Sequence, residues 1–177
     1  MTITRDAVLA MSRRQLAKAL REGRAIAPDA LDDSEYRGIS LGLPRWAERL
    51  SWKTFQKTFH RDPATGLLRG WNVRVEQRGL DAPSRALVRE GAPFTFGPYV
   101  VGELPASAPR GLRQGLLIDY SPSPGLLGRL RDPLVALNDG RVDLLLGWSY
   151  LDLWLVRVPT PSYFLLEREG ALQHVAP

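Results

Sequence analysis

The chain has 177 residues, of which 44% are hydrophobic and 24% are charged, and these ordinary proportions exclude disorder along its whole length. Its length fits a single domain, and the absence of cysteine excludes disulfides, thiol catalysis and thiolate metal sites. The net charge is +5, yet only three of the 24 basic residues are lysines. Such heavy use of arginine does not by itself indicate a nucleic-acid partner, so none is expected.

Residues 5–22 predict an amphipathic helix with Thr4 as its N-cap and Gly23 as its stop. One side of the helical wheel is apolar and consists of Val8, Leu9, Leu16, Ala19 and Leu20. The opposite side is basic. Either the helix docks on a core and leaves its basic face in water, or it contacts an anionic membrane or a partner. The apolar side lacks Trp and Phe, which favours docking.

The chain lacks the pattern of a secretory signal, and no run reaches the roughly 18 apolar residues that a transmembrane helix needs. A cytoplasmic location is therefore expected.

From residue 35 onward the pattern changes to short apolar or alternating runs that are separated by Gly, Pro, Asn and Asp. Runs of this kind at hairpin-like spacing predict antiparallel strands. The eight predicted strands are 36–43, 52–60, 67–77, 94–104, 115–121, 142–151, 152–158 and 162–169.

These elements predict a mainly β protein, an antiparallel lipocalin-like β-barrel with the amphipathic helix packed on it. Residues 1–34 are predicted to form the helix and a connector, and residues 35–177 the barrel, within one domain. Residues 130–140 contain an Asp-Pro step and end with Asn-Asp-Gly, which favours a connection with a short helix over the barrel mouth.

Alternation predicts which residues share a face of each strand. In residues 67–77, Trp71 and Val73 share an apolar face, while Asn72 and Arg74 share a polar face that is expected to meet water. In residues 52–60 neither face is cleanly apolar, because one face mixes phenylalanine with lysine. Such a strand borders a solvated cavity or lies at a sheet edge.

In residues 143–157 one face carries Trp148, Tyr150, Asp152 and Trp154. These aromatic rings either fill the core or line a pocket whose polar groups are Tyr150 and Asp152. A carboxylate among indoles favours a pocket wall, because an unpaired buried charge is costly. A turn near Tyr150 would change which residues share the face.

Four segments, 50–59, 115–124, 144–151 and 162–169, resemble a bacterial and fungal family named for a Gly-X-Trp-X-Gly motif. The resemblance implies a small lipocalin-type β-barrel over residues 35–169, and it carries no activity with it. By residue it points to Trp52, Lys53, Phe55, Asp119, Tyr120 and Gly147.

No phosphate-binding glycine loop, nucleophile elbow or zinc-binding helix motif is present, and His60 and His174 are the only histidines. No metal or cofactor is therefore expected. The acid–base candidates are Asp119, Tyr120, Asp152, Lys53 and Glu103. Asp119 ends an apolar strand, where it either accepts turn amides or lines a cavity mouth beside the phenol of Tyr120.

The first function hypothesis is binding of a hydrophobic small molecule inside the barrel. The residues expected to line that site are Trp52, Phe55, Trp71, Tyr120, Trp148, Tyr150 and Trp154. The second is a cofactor-free cyclase or isomerase that acts on an apolar metabolite in the same cavity. The third is a binding module whose basic helix meets a membrane surface or a partner.

Overall fold

The computed structural model describes residues 2–41 and 53–176. Two α-helices, α1 (Arg5–Leu9) and α2 (Arg13–Glu22), precede the strands. Short 3-10 helices span Pro28–Leu31, Pro109–Gly111 and Gly125–Arg129. The ten strands are β1 (Ser34–Leu41), β2 (Thr54–Arg61), β3 (Leu68–Val73), β4 (Val88–Arg89), β5 (Ala92–Pro93), β6 (Thr95–Glu103), β7 (Leu116–Asp119), β8 (Leu130–Ala136), β9 (Leu144–Leu153) and β10 (Val156–Ala171).

The predicted N-terminal helix is present, but it is divided in two. Ser12 starts α2 with a capping box, in which its hydroxyl accepts from the Gln15 N–H at 3.4 Å while the Gln15 side chain accepts from the Ser12 N–H at 2.8 Å. This cap satisfies donors that a continuous helix would bond to the preceding turn, so a new helix begins here. Leu16 and Leu20 are buried, and α2 ends at Gly23 as predicted.

Eight of the strands form a closed barrel in the order β1-β10-β9-β8-β7-β6-β3-β2, and every neighbouring pair is antiparallel. Apart from the β4–β5 hairpin, which stands alone, each strand pairs with the next one along the chain. The pairing of β1 with β10 closes the ring. The prediction of a mainly β protein with an antiparallel barrel is therefore confirmed.

The strands have an inner and an outer face, and both are buried over much of the barrel. Inside, an inner cluster includes Tyr36, Phe59, Tyr99, Tyr120, Leu134, Leu145 and Phe164. Outside, an outer cluster joins Leu16 and Leu20 of α2 to Leu146, Trp148, Tyr150, Tyr163 and Leu165. The helices therefore cover β9 and β10 from outside, which explains why β9 is apolar on both faces.

One connection and one separate strand that were predicted from the sequence, residues 130–140 and 152–158, are wrong. Residues 130–136 form strand β8 instead of a connection with a short helix, and residues 152 and 153 belong to β9, which turns directly into the 16-residue β10. The Asp132-Pro133 pair was misleading because proline usually interrupts strands. Here the β8–β9 pairing is interrupted between Arg131 and Leu134 without a change of register, which accommodates a residue without an N–H.

Three inward-facing glycines lie opposite aromatic residues of the adjacent strand. The pairs are Gly38 with Phe55, Gly70 with Tyr99, and Gly147 with Phe164. A methyl group at Gly147 would lie 2.1 Å from Cζ of Phe164, so the ring occupies the space that a side chain would need. The rings thus lie over the opposite backbone, as in the known compensation of strand glycines by aromatic neighbours.

Candidate functional site

A cavity of about 360 Å³ opens at one end of the barrel. It lies where β1 and β7 end and where β2, β6 and β8 begin. Its apolar wall consists of Phe55, Phe96, Leu127, Leu130 and Phe164. A polar cluster forms the rest of the wall together with Ser40 and Ser162, and we define this cluster as Lys57, Asn72, Tyr120, Asp132 and Ser149. The cavity is therefore amphipathic.

Lys57 is the centre of the polar cluster. Alternation along β2 places its side chain inside the barrel between Phe55 and Phe59, with 1% of the residue exposed. Its ammonium donates to Oδ1 of Asn72 at 3.0 Å and to the hydroxyl of Tyr120, and it lies 3.7 Å from Oδ2 of Asp132. The ring centroids of Tyr99 and Tyr120 lie 4.7 Å and 4.9 Å from the same nitrogen, within the range of cation–π attraction.

Asp132 faces the cavity from β8, opposite Ser149 on β9. The pairs Arg131 with Tyr150 and Leu134 with Gly147 fix this register. Only 2% of Asp132 is exposed, and its Oδ1 has no hydrogen-bond partner among the residues that the structure describes. A buried carboxylate oxygen without a donor is rare in native proteins and marks a place for a ligand or a water.

Burial shifts the pKa values of the charged pair toward each other. Removal from water lowers the pKa of Lys57 to about 8, and the negative charge of Asp132 opposes this change. Removal from water raises the pKa of Asp132, and the positive charge of Lys57 opposes it. Burial also raises the pKa of Tyr120 well above its usual value, so its hydroxyl keeps its proton and can donate or accept a hydrogen bond. The cluster therefore holds a base and two acids close together.

Of the residues predicted to line a ligand site, Phe55 and Tyr120 line the cavity. Trp148 and Tyr150 do not, because their side of β9 faces outward into the outer cluster. The indole N–H of Trp148 donates to the carbonyl of Thr160 at 2.9 Å, and its ring stacks on Tyr150 at 5.6 Å. The expected pocket wall is thus the core between the barrel and α2.

The other predicted tryptophans lie elsewhere. Trp71 is buried on the outer face of β3 with Val73 and Ala176. Trp154 is 82% exposed at the turn between β9 and β10. Trp52 lies outside the described residues. Neither Trp71 nor Trp154 lines the cavity, because Trp71 lies on the outer face of β3 and Trp154 lies in the exposed turn between β9 and β10.

Four of the five acid–base candidates also lie away from the cavity, and one of them, Glu103, is exposed at the end of β6. Asp119 accepts from the Ser121 N–H at 2.7 Å and pairs with Arg131 at 3.1 Å, as a strand-end aspartate that satisfies a turn. Asp152 lies 3.9 Å from Arg157 across the β9–β10 hairpin. Lys53 precedes β2, and it is not among the residues that line the cavity. Tyr120 alone joins the polar cluster.

Sequence reasoning did not identify Lys57, Asn72, Asp132 or Ser149. A signal for Lys57 was present, because a lysine between two phenylalanines on one strand face is unusual on a solvated surface. Asn72 belongs to the face of β3 that was expected to meet water, and that face instead points into the barrel. The inward direction of Asp132, opposite Ser149, follows only once residues 130–136 are known to form strand β8.

A group with metal-ligand character occurs among the described residues at Asp32, Asp33 and His60. Its members already make hydrogen bonds within the protein. Nδ1 of His60 lies 2.7 Å from Oδ1 of Asp33, and the Asp32 carboxylate accepts from the Arg61 N–H at 2.7 Å. These contacts explain the grouping without an ion.

Comparisons with protein-family models, with curated proteins and with solved structures find no match. Among the described residues, no helix combines the length and the apolar character needed to cross a bilayer. The family resemblance of the four sequence segments stays a prediction, and the function must be argued from the cavity.

Proposed function

We propose that the chain binds a small amphipathic molecule in the cavity of a lipocalin-like barrel, with the apolar part against the phenylalanine and leucine wall. The polar end carries a hydroxyl or N–H that donates to Oδ1 of Asp132. The observation that carries this proposal is that unpartnered, buried oxygen on the wall of an otherwise mainly apolar cavity.

The size and chemistry of the cavity support binding. Its volume of about 360 Å³ falls within the usual range for small-molecule sites, about 300–1,000 Å³. Such sites combine apolar walls with a few polar groups that fix the orientation of the ligand. Lys57 already contacts Asn72, Tyr120 and Asp132, and the buried atom of the cluster that still lacks a partner is an acceptor, Oδ1 of Asp132.

The order of the strands supports the lipocalin-like part of the proposal. Strands that are consecutive in the barrel and closed by the first and last form an up-and-down barrel, and eight-stranded barrels of this kind enclose one small ligand at an open end. The cavity here lies at one end and is bordered by strand termini and by the 3-10 helix that contains Leu127.

Competition with a fluorescent apolar probe tests the proposal. A medium-chain alcohol and its methyl ether have nearly the same apolar surface, but only the alcohol can donate a hydrogen bond. We expect the alcohol to displace the probe at about tenfold lower concentration or better, the usual effect of a hydrogen bond to a charged group. This preference should disappear in the double variant Lys57→Met/Asp132→Leu and persist in Lys18→Met, which alters an exposed lysine of α2. Failure of both compounds to displace the probe, or failure of the probe to bind, would rule the proposal out.

A second candidate function is a cofactor-free isomerase or cyclase for an apolar carbonyl compound. It is favoured by the proximity of Asp132 to two proton donors, Lys57 and the Tyr120 hydroxyl. In this scheme the free carboxylate oxygen accepts a proton from the carbon next to the carbonyl group. Tyr120 or Lys57 stabilises the developing oxyanion by donating a hydrogen bond, and the protonated Asp132 then returns the proton to carbon, so each group ends in its starting state.

Exchange of hydrogen for deuterium in an enolisable cyclic ketone, followed by NMR in D₂O, tests this candidate. General-base catalysis predicts a loss of about 100-fold or more in the exchange rate for Asp132→Asn. Asp119→Asn is the matched control, because Asp119 lies outside the cavity. Equal rates for the wild type and Asp132→Asn would exclude catalysis by this carboxylate.

A further inference from the structure

The turn between β9 and β10 exposes a group of large apolar side chains, which we call the apolar tip and define as Leu153, Trp154, Leu155 and Val156. Trp154 is 82% exposed, Leu155 98% and Val156 59%. Scattered apolar residues are normal on protein surfaces, but a contiguous group at a protruding turn marks an interaction site.

The backbone conformation of this turn is unfavourable for the residue at its centre. Trp154 has a φ of +67°, and the N–H of Leu155 donates to the carbonyl of Leu153, two residues back, at 2.8 Å. This is the hydrogen bond of a classic γ-turn, a strained geometry. Positive φ is an outlier for a bulky residue and is readily adopted by glycine. A tryptophan at this place therefore needs a reason other than local stability.

Arginines surround the base of the apolar tip. The guanidinium of Arg129 lies 4.9 Å from the ring centroid of Trp154, and Arg131 and Arg157 border the same surface depression. Arg13 of α2 reaches the β10 side of the hairpin, where it donates to the carbonyl of Pro161. Two carboxylates, Asp119 and Asp152, pair with Arg131 and Arg157, so the depression itself keeps a positive balance through Arg129.

The apolar tip stands at the open end of the barrel. Leu130 lines the cavity and pairs with Leu151 of β9, two residues before the tip. On the other strand, Ser162 lines the cavity six residues after Val156. A surface that contacts the tip therefore comes close to the cavity mouth.

We propose that the apolar tip inserts into the interface of an anionic lipid bilayer while the surrounding arginines contact the lipid headgroups. Tryptophan favours the membrane–water interface, and arginines near an anionic surface gain electrostatic energy. The further consequence, that the ligand enters the cavity from the bilayer, rests on the proposed function, whereas the docking does not.

A protein partner or a second copy of the chain fits the apolar tip less well. Stable protein interfaces use about 20–30 residues on each side, whereas the tip offers four. A bilayer needs only a few inserted side chains together with charge attraction. The combination of one narrow apolar projection and a basic surround therefore favours a membrane.

Cosedimentation with vesicles tests the docking. We expect binding to phosphatidylcholine vesicles that contain about 30% phosphatidylglycerol, and a loss of about fivefold in partitioning for Arg129→Gln. Leu155→Ser should reduce partitioning by about tenfold or more, because the variant loses the favourable transfer of a leucine side chain from water into the bilayer. Leu67→Ser is the matched control. Leu67 is 57% exposed beside the β2–β3 turn, at the opposite end of the barrel, so this variant should bind like the wild type.

Trp154→Gly separates docking from folding. Glycine relieves the positive φ, so we expect a higher melting temperature together with weaker vesicle binding. The proposal is overturned if the wild type does not bind anionic vesicles, or if Leu155→Ser and Trp154→Gly bind as well as the wild type. It is also overturned if the tip variants abolish self-association and no vesicle binding occurs. In solution, Leu155→Ser should bind the medium-chain alcohol as the wild type does. If the wild type itself does not bind the alcohol, the proposed function is rejected and the docking proposal still stands.

Discussion

The Lys57 ammonium and the Asp132 carboxylate lie 3.7 Å apart inside a closed barrel, and almost none of either residue reaches solvent. Two charges are thus held almost entirely out of bulk solvent. A buried pair of this kind is weak evidence for stability, because desolvation offsets the attraction between the charges. Its position on a cavity wall, with one carboxylate oxygen unpartnered, supports the proposed binding function instead.

The first prediction concerns the energetics of this pair. Lys57→Met and Asp132→Leu each leave one uncompensated buried charge, so each should lower the free energy of unfolding by about 3–5 kcal/mol. The double variant should be close to the wild type or more stable, because both charges are gone. Urea denaturation of the four proteins gives the coupling energy. Additive losses in the double variant would show that the two residues act independently.

The second prediction concerns alkaline pH. The pKa of Lys57 is about 8 in the folded protein, against 10.5 for an ordinary lysine. Between these values the unfolded chain binds more protons at this group, so the free energy of unfolding should rise with pH. Buried tyrosines such as Tyr36, whose pKa is raised to about 12, oppose this rise once the unfolded chain loses their protons near pH 10.

The urea midpoint should therefore increase from about pH 8 toward pH 10, and Lys57→Met should flatten this increase. Lys18→Met, on the exposed face of α2, should retain it. A midpoint that falls over this range in the wild type would contradict the assigned cause.

The third prediction concerns Trp148. This residue is fully buried between the barrel and the helices, so Trp148→Ala should cost about 3–5 kcal/mol. Because its ring lies outside the barrel, the affinity of the cavity for the alcohol should not change while the variant is folded. Trp154→Phe, at an exposed position, is the comparison and should cost little. A weakened alcohol affinity in folded Trp148→Ala would place the ring at the ligand.

The fourth prediction concerns the glycine–aromatic pairs. Gly147→Ala places a methyl group 2.1 Å from the Phe164 ring, which must move toward the cavity that it lines. We expect a loss of stability of about 1–3 kcal/mol from overpacking, with weaker probe binding. Gly102→Ala in β6 is the control, because a methyl group there meets no atom within 4 Å. Equal behaviour of the two variants would mean that the ring adapts freely.

The alternation of polar and apolar residues predicted most of the strands because it reports burial of one face, which is a local property. It did not identify which face is inside. For β3 and β9 the more aromatic face was assigned to a cavity or a core, yet Trp71, Trp148 and Tyr150 all face outward, where the C-terminal segment or the helices cover them. In a barrel that is covered on both sides, hydrophobicity no longer distinguishes the two faces.

The polar cluster was not predictable for a different reason. Lys57, Asn72, Tyr120 and Asp132 come from four parts of the chain, and their proximity depends on the closure and register of the barrel. Asp132 was assigned to a connection because proline usually interrupts strands. Only the pairing of β8 with both neighbours shows that the carboxylate points inward.

The pairing of β1 with β10 also has a consequence for synthesis on the ribosome. Residues 34–41 emerge early, but residues 163–171, which complete their pairing, emerge only after nearly all other strands. Until then one edge of β1 has no neighbour, and unpaired strand edges invite aggregation. Contacts between residues so distant in sequence also slow folding. The barrel and its cavity therefore cannot close until translation has passed the last strand.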